Sequence, residues 1–197
     1  MKFVVAIFFF ALCTTTATTS ALAFKTKEMW WQNGNPTFVV CLTGAPANAL
    51  LKLNEAALKW KYRHFEFKLA SGRCINEPSW IKNDGVNYIA FGALDSKGSD
   101  SDIAEAFTRN VPVTNKLIEC DIQFSSKKKW YTKQDGVPGS DESDFLSVAL
   151  HEFGHCLGLD HSDIANAVMN GALPAGQVRR TLHNDDLAGR DFLYGKP

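Results

Sequence analysis

Long hydrophobic runs are what this sequence most plainly lacks. Its longest uninterrupted apolar stretch is Phe3 to Leu12, ten residues, whereas a helix crossing a ~30 Å bilayer core needs about twenty. No membrane-spanning segment is expected. Net charge is lacking too: 21 basic residues balance 21 acidic ones. An electrostatic nucleic-acid binder needs a basic surplus, so that class is set aside. The run Lys127-Lys128-Lys129 reads as a solvated turn. There is no internal repeat and no Pro-rich linker, and 197 residues suit one domain. Histidine is scarce, at five residues, and so is cysteine, also at five.

What is present is a substantial core: 45% apolar and 12% aromatic residues, which is not the composition of a disordered chain. The first residues read as a secretory signal. Lys2 is a minimal positive region, Phe3 to Leu12 the apolar stretch, and Ala21-Leu22-Ala23 a small-x-small cleavage site. Residues 1–23 are therefore expected to be a signal peptide and 24–197 the mature domain, secreted or periplasmic and without membrane contact after cleavage. Four cysteines then remain, Cys41, Cys74, Cys120 and Cys156, an even number in an oxidising compartment. Three pairings exist and spacing does not choose among them. The expected one is Cys41–Cys74 with Cys120–Cys156, because each bond would tie neighbouring elements.

Periodicity predicts a strand over Thr37 to Leu42 and a helix over Ala47 to Lys61, opened by Pro46. Phe65, Phe67 and Leu69 alternate with polar residues, the period of a half-buried strand. Further strands are expected over Val86 to Phe91, Ile103 to Thr108 and Leu117 to Phe124. A helix is expected over Phe145 to Leu157, capped by Asp144 or Asp141, and a short one over Asn184 to Leu193. The pattern is α+β.

The chemistry concentrates in His151-Glu152-Phe153-Gly154-His155-Cys156-Leu157-Gly158-Leu159-Asp160-His161. Residues four apart share a helix face, so His151 and His155 can present two imidazoles to one ion. Glu152 then flanks the metal. Gly158 accepts the positive φ of a helix stop, and the returning chain brings His161 to a third position. Three neutral imidazoles with an open fourth position make a catalytic zinc site. Such a zinc lowers the pKa of bound water to about 7, and Glu152 is placed as general base. Three of the five histidines lie in this segment; His64 and His183 are single residues, read as surface or structural.

These residues resemble the metzincin clan of zinc peptidases, and within it the matrixins. The run HEFGHCLGLDHS over His151 to Ser162 is close to the matrixin signature. Ala167-Val168-Met169 looks like the Met-turn, with Met169 as an apolar floor below the metal. Asp185-Asp186-Leu187-Ala188-Gly189 and Phe192-Leu193-Tyr194-Gly195 resemble the last helix of a matrixin catalytic domain. Cys120 to Phe124 with Trp130 resembles the strand and tryptophan before the active-site helix.

The resemblance implies a metzincin-type zincin fold: a twisted five-stranded mixed sheet, two long helices and a small C-terminal lobe with a short helix. It implies a secreted zinc endopeptidase acting on proteins or peptides, expected to be a monomer. The edge strand near Ala104 to Thr108 would pair with the substrate backbone. Ala104, Phe107, Leu150 and the segment Gly171 to Leu182 would line the substrate pocket. An ammonium on Phe24 would pair with Asp185 or Asp186.

Several departures stand out. No histidine lies between His64 and His151, so one zinc is expected, without the family's structural second ion. No Pro-Arg-Cys-Gly segment precedes the domain and no haemopexin-like domain follows it, so neither is expected. Asn170-Gly171 follows Met169 in place of the family's usual Tyr-Pro, so pocket specificity does not carry over. The oxygen-rich run Asp95 to Asp102 is a candidate calcium site or a plain solvated loop. The alternative function is a catalytically silent zinc-containing module that binds peptides in the cleft.

Overall fold

The computed structural model describes residues 23–32, 34–72, 83–94 and 103–195. Its elements run β1 (Lys25–Thr26), β2 (Thr37–Val40), α1 (Ala49–Lys59), β3 (Lys68–Ser71), β4 (Asn87–Gly92), β5 (Ala104–Val111) and β6 (Lys116–Ser125). After these come β7 (Trp130–Tyr131), β8 (Ser143–Asp144), α2 (Phe145–Leu157), β9 (Leu159–Asp160) and α3 (Asn184–Tyr194).

Five strands form one mixed sheet in the order β3-β2-β4-β6-β5. The first four are parallel, and β5 joins the edge antiparallel to β6. Strand β4 is buried along almost its whole length, as a central strand covered on both faces must be. Strand β5 is half-exposed throughout and kinks at a register shift between Arg109 and Asn110. Mixed polarity at an edge explains why its sequence signal stops short at Thr108.

Helix α1 begins at Ala49, two residues later than expected, because Asn48 takes a left-handed φ of 62° that helix backbone does not allow. The third sheet strand is also displaced. Phe65 and Phe67 alternate and are buried, but the ladder starts only at Lys68, which pairs with Thr37. The residue before Thr37 is Pro36. It accepts from Lys68 N through its carbonyl at 2.9 Å but has no N–H to continue the ladder upstream.

Helix α2 spans the residues periodicity predicts. Asp144 caps it by accepting from Ser147 N at 3.0 Å and Ser147 Oγ at 2.6 Å. Gly158 ends it at φ 109°, and a Cβ there would collide with the Met29 carbonyl. The last carbonyls of the helix are all taken. Trp31 Nε1 donates to Cys156 O at 2.8 Å, Tyr194 OH to Leu157 O at 2.7 Å and Lys27 N to Gly158 O at 2.8 Å.

One core holds α1, α2 and the inner sheet face together. Phe38 meets Phe153 at 5.7 Å, Phe67 meets Phe153 at 4.9 Å and Phe124 meets Phe145 at 4.9 Å between ring centroids. Trp60 is fully buried and its Nε1 donates to Leu150 O at 2.9 Å, which locks α1 against α2. A disulfide joins Cys120 of β6 to Cys156 of α2, with Cα atoms 5.6 Å apart. This is one of the two expected bonds. Cys41 is buried; Cys74, its expected partner, lies outside the described residues, as do the run Asp95 to Asp102 and residues 1–22. No helix among the described residues is long and apolar enough to cross a membrane.

The Cys120–Cys156 bond closes a loop of sequence separation 36, a length at which a disulfide stabilises by roughly 3–4 kcal/mol in the chain-entropy account. The double variant Cys120→Ala, Cys156→Ala should show a loss of that order in urea unfolding. An unchanged midpoint would contradict the clamp.

Candidate metal centre

Helix α2 presents one face to a cleft of about 770 Å³. Ser147, Val148, His151, Glu152 and His155 share that face and line the cleft, at the spacings a 3.6-residue period dictates. The chain turns at Gly158, and β9 brings His161 back over the same face. His151 Nε2 and His155 Nε2 each lie 3.2 Å from His161 Nε2. Among the described residues, this is the cluster of three His, Cys, Asp or Glu side chains able to share an ion.

The partners of the opposite ring nitrogens set the chemistry. His151 Nδ1 lies 2.8 Å from Val168 O, and His155 Nδ1 lies 2.9 Å from Leu159 O. A carbonyl can only accept, so both Nδ1 atoms carry the ring proton. Burial, with neighbouring positive charge, lowers the pKa of His151 to about 4 and that of His155 to about 2. Both rings are therefore neutral, with Nε2 lone pairs aimed at a common point. A proton on His161 Nε2 could serve only one of them. A divalent cation serves all three: nitrogens bound tetrahedrally at about 2.0–2.1 Å stand roughly 3.3 Å apart, close to the separations observed. The donor set fits zinc.

Glu152 sits beside this point, 5% exposed. Burial pushes its carboxyl pKa up to about 8, Lys27 pulls it down and Glu105 adds to the rise. Lys27 arrives from the strand next to β9 and lines the cleft near Glu152 and Asp160, its ammonium destabilised mainly by burial.

Below the histidines lies Met169, 2% exposed. Its Sδ occupies the space that a Cβ at Gly154 would need, so the glycine between the two helical histidines admits the methionine. Asp186 holds this turn. Its carboxylate accepts from Val168 N at 2.8 Å, Met169 N at 3.0 Å and His183 N at 2.7 Å. Asp185 accepts from Ser162 Oγ at 2.5 Å and from Ala23 N at 2.6 Å. The N-terminal contact with the acidic pair is thus made by the Ala23 N–H, one residue before the expected Phe24. His183 caps α3 and takes no part in the cluster.

Ala104 and Phe107 of β5 line the cleft, and so do Gly171 to Pro174 and Arg179 of the segment Gly171 to Leu182. Leu150 does not. It is 0% exposed and points into the core, because one helical step turns a side chain about 100° from its neighbour. Lys27, Glu105 and Ser147 also line the cleft and lie outside the expected pocket residues. Ser147 was legible as a residue one turn before His151, and Glu105 as a member of the expected edge strand; Lys27 reaches the cleft through a tertiary contact with no local signal.

The family model described as matrixin matches residues 87–195, more than half of the chain. Human matrix metalloproteinase-16 is 41% identical over 81 residues, 39% of this chain and 12% of that protein. Human stromelysin-3 is 36% identical over 118 residues, 59% of this chain and 22% of its own. Metalloendoproteinase 2-MMP of Arabidopsis thaliana is 44% identical over 52 residues, 26% of this chain and 14% of its own. The chain thus spans less than a quarter of the length of each of these relatives.

Asp186 acts on the histidines through Val168, whose carbonyl orients His151. Asp186→Ala should therefore weaken zinc affinity by about 10–100-fold, the range for groups behind a metal ligand. Competition with a chromophoric chelator measures it; unaltered affinity would contradict the positioning role.

Proposed function

This chain belongs to the matrixin family, and on that premise we propose that it is a zinc-dependent endopeptidase with Glu152 as its general base. The observation that carries the reading is the convergence of His151, His155 and His161 Nε2 atoms beside a buried carboxylate. The three histidines would hold the ion. A zinc ion so held supplies Lewis acidity to a water and to the scissile carbonyl.

The rest of the chemistry falls to the chain. The Val168 and Leu159 carbonyls keep the ring protons of His151 and His155 on Nδ1, which leaves the Nε2 lone pairs for the ion. Glu152 Oε accepts the proton of the attacking water and returns it to the departing amine nitrogen. Its burial favours the protonated form, which supports the return step; the positive charge of the loaded site favours the carboxylate needed for the first. Met169 fills the space under the ligands and excludes water from that side.

Strand β5 is the sheet edge at the cleft, and its outward backbone is suited to pairing with an extended peptide. Ala104 and Phe107 flank that edge as substrate contacts. Residues 1–23 serve as the export signal in this reading and 24–197 as the working domain, with one zinc. The Cys120–Cys156 bond supports an oxidising, extracytoplasmic site of action.

Glu152→Gln keeps size and the three histidines. It should retain zinc and lose roughly 10²–10⁴-fold in kcat/KM on a cleavable peptide. Full activity in that variant would remove Glu152 from the role. Retained zinc with no turnover of any peptide by the unaltered protein would favour the silent binding module.

A further inference from the structure

Two adjacent arginines meet different fates. Arg180 is committed to the fold: its Nε lies 3.1 and 3.0 Å from the Asp144 carboxylate oxygens, its Nη2 pairs with the same group at 2.5 Å, and Nη1 donates to Gln134 O at 2.9 Å. Arg179 has no ion pair among the described residues. Its backbone N–H donates to Ser147 Oγ at 2.7 Å, and Nη1 donates to Asn170 O at 3.3 Å, a long bond to a neutral acceptor. Asp186 is the carboxylate whose charge acts on it, yet Asp186 is 1% exposed and its oxygens already accept three backbone N–H groups. The remaining donors of the guanidinium fork are therefore available to a ligand.

The place they occupy is the part of the cleft wall held by Ser147 and Asn170. Val148, Ala172, Leu173 and Pro174 line the same cleft, and the charge of Arg179 is felt at His151. Those four side chains offer apolar surface to a methylene stem; the fork suits a planar, doubly accepting head. Lys27, the other cation of the cleft, differs: Asp160 and Glu152 both act on it, so its charge is opposed locally.

We infer that this part of the cleft takes a carboxylate side chain, glutamate above all, from a substrate residue adjoining the scissile bond, with Arg179 as the selecting group. The inference rests on the endopeptidase reading and deepens it to a substrate class: proteins or peptides with an acidic residue at the cut. An apolar residue would strip water from the guanidinium and leave it only the distant Asn170 carbonyl as acceptor, a cost that turns into discrimination between substrates.

The test uses the purified zinc-loaded protein and matched fluorogenic peptides carrying Glu, Leu or Lys at either residue flanking the bond. Wild type should favour Glu over Leu at one flank by about tenfold or more in kcat/KM. Arg179→Leu should erase that preference, and Arg179→Glu should turn it toward Lys, a gain that a misfolded variant cannot imitate. Peptide affinity measured by fluorescence in the Glu152→Gln background should follow the same order. Equal cleavage of the Glu and Leu peptides by wild type, or a preference untouched by the charge swap, would overturn the role of Arg179 and leave the endopeptidase reading standing. Cleavage of no peptide at all would remove both.

Discussion

Two neutral imidazoles that point their lone pairs at a third within 3.2 Å form an arrangement that water-filled protein has no reason to keep. The proton that would relieve one contact leaves the other unrelieved. The arrangement is imposed from behind, by two backbone carbonyls that hold the ring protons on the far nitrogens. A shared cation converts this repulsion into coordination. Most of the surrounding structure reads as the means of holding those carbonyls and that helix face in place.

The means are spread along the whole chain. The Cys120–Cys156 bond ties the helix at the residue after His155 to the sheet. Trp60 ties it to α1, and Trp31, Tyr194 and Lys27 occupy its terminal carbonyls. Gly154 and Met169 interlock beneath the rings. Asp186 fixes the turn whose Val168 carbonyl meets His151, while Asp185 links that region to the start of the described chain through Ala23. These contacts join residues distant from one another among those described. The family match over 87–195 covers the sheet edge, the helix and the turn, and the supports contributed before residue 87 lie outside it.

Much of this was legible in the sequence because it is local. The histidine spacing, the Gly158 stop, the Asp144 cap and the bounds of α2 all follow from helix period and end chemistry. The Cys120–Cys156 bond is one of the two expected, though spacing alone did not choose it. What was not legible depends on contacts distant in sequence. Lys27 carries no local mark of entering a cleft; it arrives there because β1 pairs with β9. Arg179 lies in the segment expected at the pocket, but its hold on Ser147 Oγ through its backbone N–H was not legible. Leu150 was misplaced by a single helical step. The strand expected around Phe67 begins at Lys68 because its neighbour's ladder starts after a proline. The alternation there was read correctly as burial, but burial alone does not establish pairing.

The central claim is a coordination sphere, and X-ray absorption at the zinc edge tests it most directly. For the zinc-loaded protein the account predicts a single site with three imidazole nitrogens and one water oxygen at about 2.0–2.1 Å. A shell containing sulfur, fewer than three imidazoles, or zinc spread over several weak surface sites would contradict it.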